Sequence, residues 1–459
     1  MDTARSTALV VAGIVLVSAT LFVSAATAPS RDVQRAAPAA NGSSADGTAG
    51  VLVGSQGGGQ NWQKKGSVYR LDGHDVQWKI NDRDSYFDVT RLPNGSVVAG
   101  FLHNGYEKGC EPYEPPCTKT GFRIIDPSGP EPSVVNEWSF PVRTATHSEV
   151  HDVEPLGNGR FLVADMEHER IAIVANGSVA WEWRPAETGF YDAPADPTKR
   201  DWLHINDVDA IGEGRYLVSV RNANQLVIVE RGEGVVDVIN QDRSDDNDDS
   251  CTKHRQLSDF DGDGDVRCGN PDVLNHQHNP QWLGEDAVLV ADSDNDRVVE
   301  LHRTEQGRWE PVWALDSAQG MRLSWPRDAD RLDNGNTLVT DSLNRRVFEV
   351  NTTGEVVWSY STPLIPYEAD PLPGGEVTTY DPLNGSANDS TASQNKGDLA
   401  YGENGSVDAG GDVPVLSLAL VGLQALFPRL PIWFGELQLG ISVVSLLLIG
   451  AGVVVRVRS

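Results

Sequence analysis

Lysine is scarce in this chain, and negative charge is abundant. Only 8 of its 37 basic residues are lysines, whereas Asp and Glu number 66 and the formal net charge at pH 7 is -29. Nucleic-acid binding needs a basic surface, so this balance excludes nucleic acid as a partner. An acidic, lysine-poor surface is typical of proteins that work in very high salt, where screening weakens carboxylate repulsion. We therefore expect a halophilic archaeon as the source, with an ordinary acidic extracellular protein as the alternative.

Cysteine is also scarce, and its spacing is informative. The four cysteines form two local pairs, Cys110 with Cys117 and Cys251 with Cys268. Neither pair has the C-x-x-C spacing of a zinc site, whereas both fit disulfides in an oxidising compartment. Asn-x-Ser/Thr acceptors agree with an extracellular glycoprotein. They are Asn41, Asn94, Asn176, Asn351, Asn384, Asn388 and Asn404.

Long apolar runs stand at the two ends of the chain. Ala8 to Ala28 has membrane-spanning length and ends in a sequence that fits a signal-peptidase site. Residues 1–30 are therefore interpreted as a signal peptide or an N-terminal membrane anchor. Residues 437–455 are predicted to form a C-terminal transmembrane helix, and Arg456 and Arg458 mark its cytoplasmic side. The body of the protein is thus expected outside the cell membrane, with the C-terminus in the cytoplasm.

Two segments precede the C-terminal run. Residues 381–412 are rich in Gly, Ser, Asn and Asp, which predicts a disordered linker to the membrane. Residues 413–434 are apolar, but Pro428 and Pro431 interrupt them. We interpret this stretch as interfacial or as a second membrane segment.

One phrase recurs within residues 51–380. It reads Asp-Val-x-x-Leu or a variant of it, then a tight Asn-Gly turn, then an apolar strand. Intervals of roughly 50 to 70 residues between copies fit four-stranded blades. The last copy lacks its later strands, and residues 51–80 resemble later strands that lack a first one. The sequence predicts an all-β fold, a six-bladed β-propeller whose last blade is closed by both ends of the domain. The copies open at Phe87, His151, Asn206, His278, Arg327 and Tyr367.

The residue that opens each copy has the same place in every blade. Because the innermost strands of a propeller start at one rim of the central channel, these side chains are expected to converge there. Other polar residues flank them. His204 and His276 stand two residues before Asn206 and His278, on the same side of an extended strand. In addition, His147 lies near His151, and Arg221 is expected on the next strand.

Two motifs carry a resemblance to a known family. Asp-Trp-Leu-His-Ile-Asn-Asp at 201–207, followed by Ser-Val-Arg-Asn at 219–222, resembles the arylsulfate sulfotransferases, propeller enzymes that work without the nucleotide sulfate donor. Gln277-His278 with the later Asp292 is similar to that family's catalytic blade. The resemblance covers most of residues 80–360. The chain departs from the family where Gly284-Glu285-Asp286 replaces an Asn-Gly turn, and at 293–296, where a glycine-containing phrase is common.

The resemblance implies that a sulfuryl group passes from a small aromatic sulfate donor to a phenolic acceptor through a transiently sulfated histidine. It makes His278 the nucleophile, which divides one difficult step into two easier ones. His204, Asn206 and Arg221 match the family's sulfate-binding set, and His151 matches its other rim histidine. Cationic and amide groups stabilise charge on the sulfuryl oxygens, and a protonated imidazole can serve the leaving phenolate. The further side chains that are expected to contact substrate are Arg327, His276 and His147. No catalytic cofactor is expected.

Other interpretations of the rim stay open. Histidines at blade edges can simply bond neighbouring loops, or the histidine cluster can bind a metal ion. A non-catalytic surface propeller that binds a glycan or a protein partner is the alternative from another functional class. A quinone-cofactor dehydrogenase is disfavoured because no repeated Trp-docking phrase is present. The oligomeric state and the natural substrates do not follow from the sequence.

An acidic loop precedes His278. Alternating carboxylates with a glycine at Gly264 follow the D-x-D-x-D-G pattern of a calcium-binding turn. Asn270 stands where the last ligand of a twelve-residue loop would be Glu, and the Cys251–Cys268 pair could staple the insertion. We predict a structural calcium ion here, with halophilic surface charge as the alternative. The proposed ligands are Asp259, Asp261, Asp263 and Asp265.

Overall fold

The computed structural model describes residues 2–27, 50–57, 64–241, 248–252, 256–373, 423 and 435–458. The predicted linker over 381–412 lies outside these residues, as does the apolar segment 413–434 apart from residue 423. The chain divides into two compact units, 1–30 with 406–459 and 31–405. Each unit is described by itself.

The larger unit is built almost wholly of antiparallel strands in a propeller-like arrangement of sheets. Within the described residues, four sheets have four strands each, paired in chain order from the first strand to the fourth. The first sheet contains β8 (Val150–Gly157), β9 (Arg160–Asp165), β10 (Arg170–Ala175) and β11 (Ser178–Trp183), and the second contains β12 (Ile205–Gly212), β13 (Arg215–Val220), β14 (Gln225–Glu230) and β15 (Gly234–Ile239). The third sheet contains β16 (His278–Gly284), β17 (Ala287–Asp292), β18 (Arg297–Arg303) and β19 (Trp309–Leu315). The fourth contains β22 (Pro326–Arg331), β23 (Thr337–Asp341), β24 (Arg346–Val350) and β25 (Val356–Ser361). The smaller elements are α2 (Asp248–Thr252) and the hairpin of β20 (Ser317–Ala318) and β21 (Met321–Arg322).

The remaining strands form an eight-stranded sheet with two halves. One half has the order β26-β1-β2-β3 and the other β4-β5-β6-β7, and the single residue pair Gln56–Ser85 joins them. Strand β1 pairs with β26 from Gly50–Leu372 to Gln56–Ile365, so the first and last strands of the domain lie side by side. The sheet contains β1 (Gly50–Gln56), β2 (Ser67–Asp72), β3 (Asp75–Ile80), β4 (Ser85–Arg91), β5 (Val97–Tyr106), β6 (Cys117–Asp126), β7 (Ser133–Val142) and β26 (Ile365–Leu372).

The recurring acidic residue connects two of the first strands, β8 and β22, to the next sheet. The Asp152 carboxylate accepts a 2.9 Å hydrogen bond from the backbone N–H of Val208, and Asp328 does the same for Ala369. In β16, where the phrase has no Asp, the Gln281 side chain accepts from Arg331 N–H at 2.6 Å. Edge strands have backbone donors that must find partners. The repeated carboxylates supply them, so these residues have a structural role.

Apolar side chains fill the space between successive sheets. Leu162, Ile171 and Val208 belong to one buried cluster shared by the β8–β11 and β12–β15 sheets. Another buried cluster contains Val53 of β1 together with Val347 and Trp358 of the β22–β25 sheet. Burial of each such side chain stabilises the fold by roughly 1.5–3 kcal/mol. The sheets are thus held face to face at defined positions, which fixes where their first strands begin.

The smaller unit contains α1 (Asp2–Thr27) and α3 (Glu436–Arg458). Ser6–Ala26 and Leu437–Val457 are each long and apolar enough to cross a membrane, with mean hydropathy of 2.5 and 2.3. By length and composition alone, such helices fit a membrane span, and the N-terminal one also fits a signal sequence.

Candidate functional site

The residues that open the repeat lie at irregularities in the first strands. In three sheets the opening residue is the extra one in a β-bulge: His151 between Val150 and Asp152, and likewise Asn206 and Arg327. Pairing also shifts beside Phe87, His278 and Tyr367. Bulges re-aim side chains away from the regular alternation of a strand. The repeat phrase thus encodes a local feature that turns these side chains out of the sheet.

Tyr367 is in contact with four of the other opening residues. Its ring centroid lies 5.1 Å from that of His151, 5.3 Å from Phe87 and 6.1 Å from His278. The Arg327 guanidinium lies 4.9 Å from the same ring. The amide nitrogen of Asn206 donates to the carbonyl oxygen of Gln277 at 2.9 Å, beside His278. The predicted convergence of these residues is therefore present in the structure.

His204 differs from its predicted conformation. It was expected on an extended strand with Asn206, but its φ is +54°, and β12 begins only at Ile205. The physical reason is a buried carboxylate: Glu169 accepts from the N–H groups of Trp202, Leu203 and His204 at 2.8 to 3.1 Å. Three consecutive donors reach one carboxylate only if the backbone turns.

The side chain of His204 is held by a residue that the sequence analysis missed. Its Nδ1 lies 2.7 Å from the Asp201 carboxylate, and its ring stacks on His151 with 5.8 Å between centroids. The exposed ring of His147 also reaches Asp201, with 3.3 Å between Nδ1 and the carboxylate. Asp201 stands three residues before His204 in the quoted motif, so its position there was the available signal.

Burial dominates the acid–base properties of this group. It lowers the pKa of His204 to about 3, and the nearby Arg221 acts in the same direction, although Asp201 opposes both. Burial opposes ionisation of Asp201, but His204 and His147 hold its pKa well below the usual range. Burial and the charge of Asp201 raise the pKa of Glu169 to about 8. At neutral pH the imidazole of His204 is therefore uncharged beside a carboxylate.

His278 is buried and is fixed through one ring nitrogen. Its Nδ1 lies 2.8 Å from the hydroxyl of Ser293 and 3.1 Å from the carbonyl oxygen of His276. Burial, and then the charges of Arg327 and Arg221, lower its pKa well below the ordinary value. The same causes, with His204, lower the pKa of His151. His278 and His151 are thus uncharged imidazoles close to guanidinium groups.

His276 also lies in a turn and not on a strand. Its φ is +46°, its N–H donates to the Asn224 side chain at 3.0 Å, and β16 begins two residues later. Its Nδ1 lies 2.7 Å from Asp294. The other oxygen of Asp294 accepts from the indole N–H of Trp325 at 3.0 Å, which connects two neighbouring sheets. Asp294 and Trp325 are site residues that the sequence analysis missed.

Two guanidinium groups lie near the imidazoles. Arg221 opens a turn directly after β13, not on a strand as expected, and it donates to the Asn222 side chain at 3.0 Å. Arg327 stacks on Trp325, with 4.4 Å from the guanidinium carbon to the ring centroid, and bonds the Gln56 side chain. Burial lowers the pKa of Arg327 to about 10, so this guanidinium remains cationic at neutral pH.

Within the part of the chain that the structure describes, two clusters have ligand atoms within 4.8 Å of one another, close enough to hold a metal ion. The first is His147, Asp201 and His204. The second joins Asp259, Asp261 and Asp263 to Asp192, a residue from a distant part of the chain. Asp265 is outside the second group, but it adds to the repulsion that, with burial, raises the pKa of Asp192. Calcium binding remains a prediction.

Both predicted disulfides are formed. Cys110 and Cys117 are bonded with 5.7 Å between their α-carbons, and Cys251 and Cys268 with 6.0 Å. The second bond closes the insertion that contains the acidic loop. Disulfides agree with an oxidising environment around this unit.

The chain is thus a β-protein with sheets in a propeller-like arrangement. Its histidine, arginine and asparagine side chains gather in a polar site where the first strands of the sheets begin. The sequence model of the family described as Arylsulfotransferase (ASST) matches residues 40–308. The chain belongs to this family. No curated protein matches the chain.

Several solved structures are similar to this chain at low identity. A protein of unknown function from Bacteroides caccae is 15% identical with a TM-score of 0.44, over 70% of this chain and 98% of that one. The periplasmic gluconolactonase PpgL of Pseudomonas aeruginosa is 12% identical with a TM-score of 0.41, over 72% and 99%. Virginiamycin B lyase of Staphylococcus aureus is 10% identical with a TM-score of 0.34, over 61% and 70%. Similarity at these identities and TM-scores gives no information about activity.

Proposed function

We propose that the protein is an aryl sulfotransferase that moves a sulfuryl group from a phenolic sulfate ester to a phenol through sulfated His278. Membership of the Arylsulfotransferase family supports this reaction class. The observation that carries the proposal is the group of uncharged imidazoles of His151, His204 and His278 beside the cations Arg221 and Arg327. A nucleophilic imidazole must be uncharged, and an anionic sulfate ester needs cations.

The first step breaks the bond between sulfur and the aryl oxygen and forms a bond between sulfur and His278. Arg221, Asn206 and Arg327 stabilise the sulfuryl oxygens as charge moves onto the leaving group. The leaving phenolate takes a proton from His204 or His151. The charge of the bound anionic donor offsets the arginine charges that, after burial, lower the pKa of these imidazoles. One imidazole then takes up a proton from solvent and passes it to the leaving phenolate.

The second step reverses these roles. The oxygen of the acceptor phenol attacks sulfur, and the bond between sulfur and His278 breaks. The phenolic proton passes to His204 or His151 and is released to solvent when the anionic product leaves, so the protein is unchanged after one cycle. The stacked pair of His151 and His204, whose centroids are 5.8 Å apart, is where we place this proton exchange.

The test offers an aryl sulfate and a phenol to the full chain in concentrated salt. His278→Ala should abolish transfer, and mass spectrometry should find a sulfated His278 in the wild type given the donor alone. The matched control is His74→Ala, since His74 lies in a turn and bonds the backbone of Ser359. Equal turnover by the wild type and His278→Ala would support the non-catalytic alternative. Loss of transfer after removal of metal ions would support metal binding by His147, Asp201 and His204.

The blade count and the location are proposals too. We infer that the two halves of the eight-stranded sheet are separate blades, because only one residue pair joins them, and this makes six blades. The charge of -29 supports a saline environment, and the disulfides support a domain outside the cytoplasm.

We also infer that α1 and α3 both span the membrane as an antiparallel pair. The buried hydroxyl of Ser6 donates to the carbonyl oxygen of Gly452 at 2.7 Å, and the Gln438 side chain donates to Ser24 at 2.9 Å. A Cβ on Gly13 would lie 2.7 Å from the carbonyl oxygen of Ser445, so close approach requires glycine there. These contacts support an N-terminal helix that is retained, with both chain ends in the cytoplasm.

A further inference from the structure

The surroundings of the His278 ring define its tautomer, that is, which ring nitrogen carries the hydrogen. Its Nδ1 faces the Ser293 hydroxyl at 2.8 Å and the His276 carbonyl oxygen at 3.1 Å. The Ser293 hydroxyl is itself 2.6 Å from the carbonyl oxygen of Pro326, which can only accept a hydrogen. Ser293 therefore donates to Pro326 and accepts from His278. Both neighbours of Nδ1 act as acceptors, so Nδ1 holds the hydrogen of the neutral ring.

We propose that Ser293 is a positioning residue that keeps Nε2 of His278 free as the nucleophile for sulfuryl transfer. This inference rests on the proposed function of the site. In the first step the bond between Nε2 and sulfur forms and the bond between sulfur and the aryl oxygen breaks. The hydrogen on Nδ1 stays in place throughout, and its bonds to Ser293 and His276 stabilise the positive charge that the ring acquires.

The location of Ser293 suits this role. It follows Asp292 at the end of β17 and is fully buried, and its bond to Pro326 crosses to the first strand of the next sheet. Its hydroxyl thus lies against the proposed nucleophile and is fixed by the neighbouring sheet.

The chain offers a matched control for a purely structural role. Ser342 follows Asp341 at the end of β23, is equally buried and begins an equivalent turn, with Arg345 N–H donating to its carbonyl oxygen at 3.0 Å. The corresponding bond from Asp296 to Ser293 is also 3.0 Å. The Ser342 hydroxyl has no hydrogen-bond partner among the described residues. Alanine at either position removes a buried hydroxyl from a similar turn, but only one of them faces a histidine.

The first measurement is spectroscopic and needs no turnover. The full chain, labelled with ¹⁵N-histidine, is observed in detergent and concentrated salt, and the His278 signals are assigned by their loss in His278→Ala. We expect protonated Nδ1 and unprotonated Nε2 in the wild type, and a partial shift toward the other tautomer in Ser293→Ala. A proton on Nε2 in the wild type would overturn the inference, whether or not the protein transfers sulfuryl groups.

The second measurement is the rate of His278 sulfation in a single turnover. Ser293→Ala should slow it about tenfold, the loss that one hydrogen bond of ordinary strength gives, with donor affinity unchanged. Ser342→Ala should remain within about twofold of the wild type, and Ser293→Thr should recover most of the rate. Equal effects of the two alanine variants would contradict the proposal. An inactive wild type with the expected tautomer would contradict only the proposed function.

Discussion

Asp201 and His204 form a hydrogen-bonded pair inside the site, with 2.7 Å between the carboxylate and Nδ1. Gln256 donates to the second oxygen of Asp201 at 3.2 Å, so the carboxylate is held from two sides. The pair fixes the hydrogen of neutral His204 on Nδ1 and leaves Nε2 for proton exchange. In the proposed reaction, it would also stabilise the imidazolium that forms when His204 takes a proton from the acceptor phenol.

Asp201→Asn should lower the transfer rate about a hundredfold, because general acid–base catalysis contributes on that scale. The loss should be greatest for donors whose phenol is a poor leaving group, since these depend most on protonation. Rates for a series of aryl sulfates measure this. Asp196→Asn is the control, because Asp196 pairs with Lys199 at the surface. A loss that is uniform across the series would argue against a role in proton transfer.

The depressed pKa values predict that transfer persists in mild acid. An ordinary histidine is half protonated near pH 6.5, whereas burial keeps His278 neutral below that pH. For the free protein, kcat/KM should therefore not decline as the pH falls through 6.5. A decline centred near pH 6.5 would show that the imidazole has an ordinary pKa.

Stability should respond to pH through His204. Its folded pKa of about 3 lies below the unfolded value of 6.5, so as pH falls below 6.5 only the unfolded state takes up a proton. The free energy of unfolding therefore decreases from pH 6.5 toward pH 3, by up to about 1.4 kcal/mol per pH unit from this group. Urea unfolding should show a smaller decrease for His204→Gln, while His74→Gln follows the wild type. Identical slopes for all three proteins would refute the assignment.

Cysteine cross-linking can test the helix pair. Ser24→Cys with Gln438→Cys should form an intramolecular disulfide under oxidation, since these side chains are in hydrogen-bond contact. The control pair is Phe22→Cys with Leu447→Cys, whose native side chains are 75% and 68% exposed. The native cysteines are already paired and do not interfere. An N-terminus beginning near residue 29 in the mature protein would disprove retention of α1.

The acidic loop predicts retained calcium. Wild-type protein dialysed without chelator should keep about one calcium ion per chain, because four carboxylates can converge on it. Asp261→Ala and Asp192→Ala should both lose it, whereas Asp272→Ala, which removes a carboxylate outside the group, should not. Equal retention in all four proteins would remove the calcium hypothesis.

Local structural features could be predicted from the sequence. The repeat phrase predicted where first strands and their turns lie, because turn residues and strand alternation act over a few positions. It also predicted that the first strand of the domain pairs with the last, which the register of β1 and β26 confirms. Both disulfides followed from the pairing of near neighbours in the sequence.

Tertiary structure decided how the side chains meet. The left-handed conformation of His204 depends on Glu169, which is 35 residues away, and the ring of His278 is held by Ser293 in the turn after β17. Asp192 joins the acidic loop from a distant segment. Such contacts form only when separate sheets pack against one another, so no periodic pattern in the sequence predicts them. The sequence thus determined which residues open each copy of the repeat, and packing decided which atoms of these residues have partners.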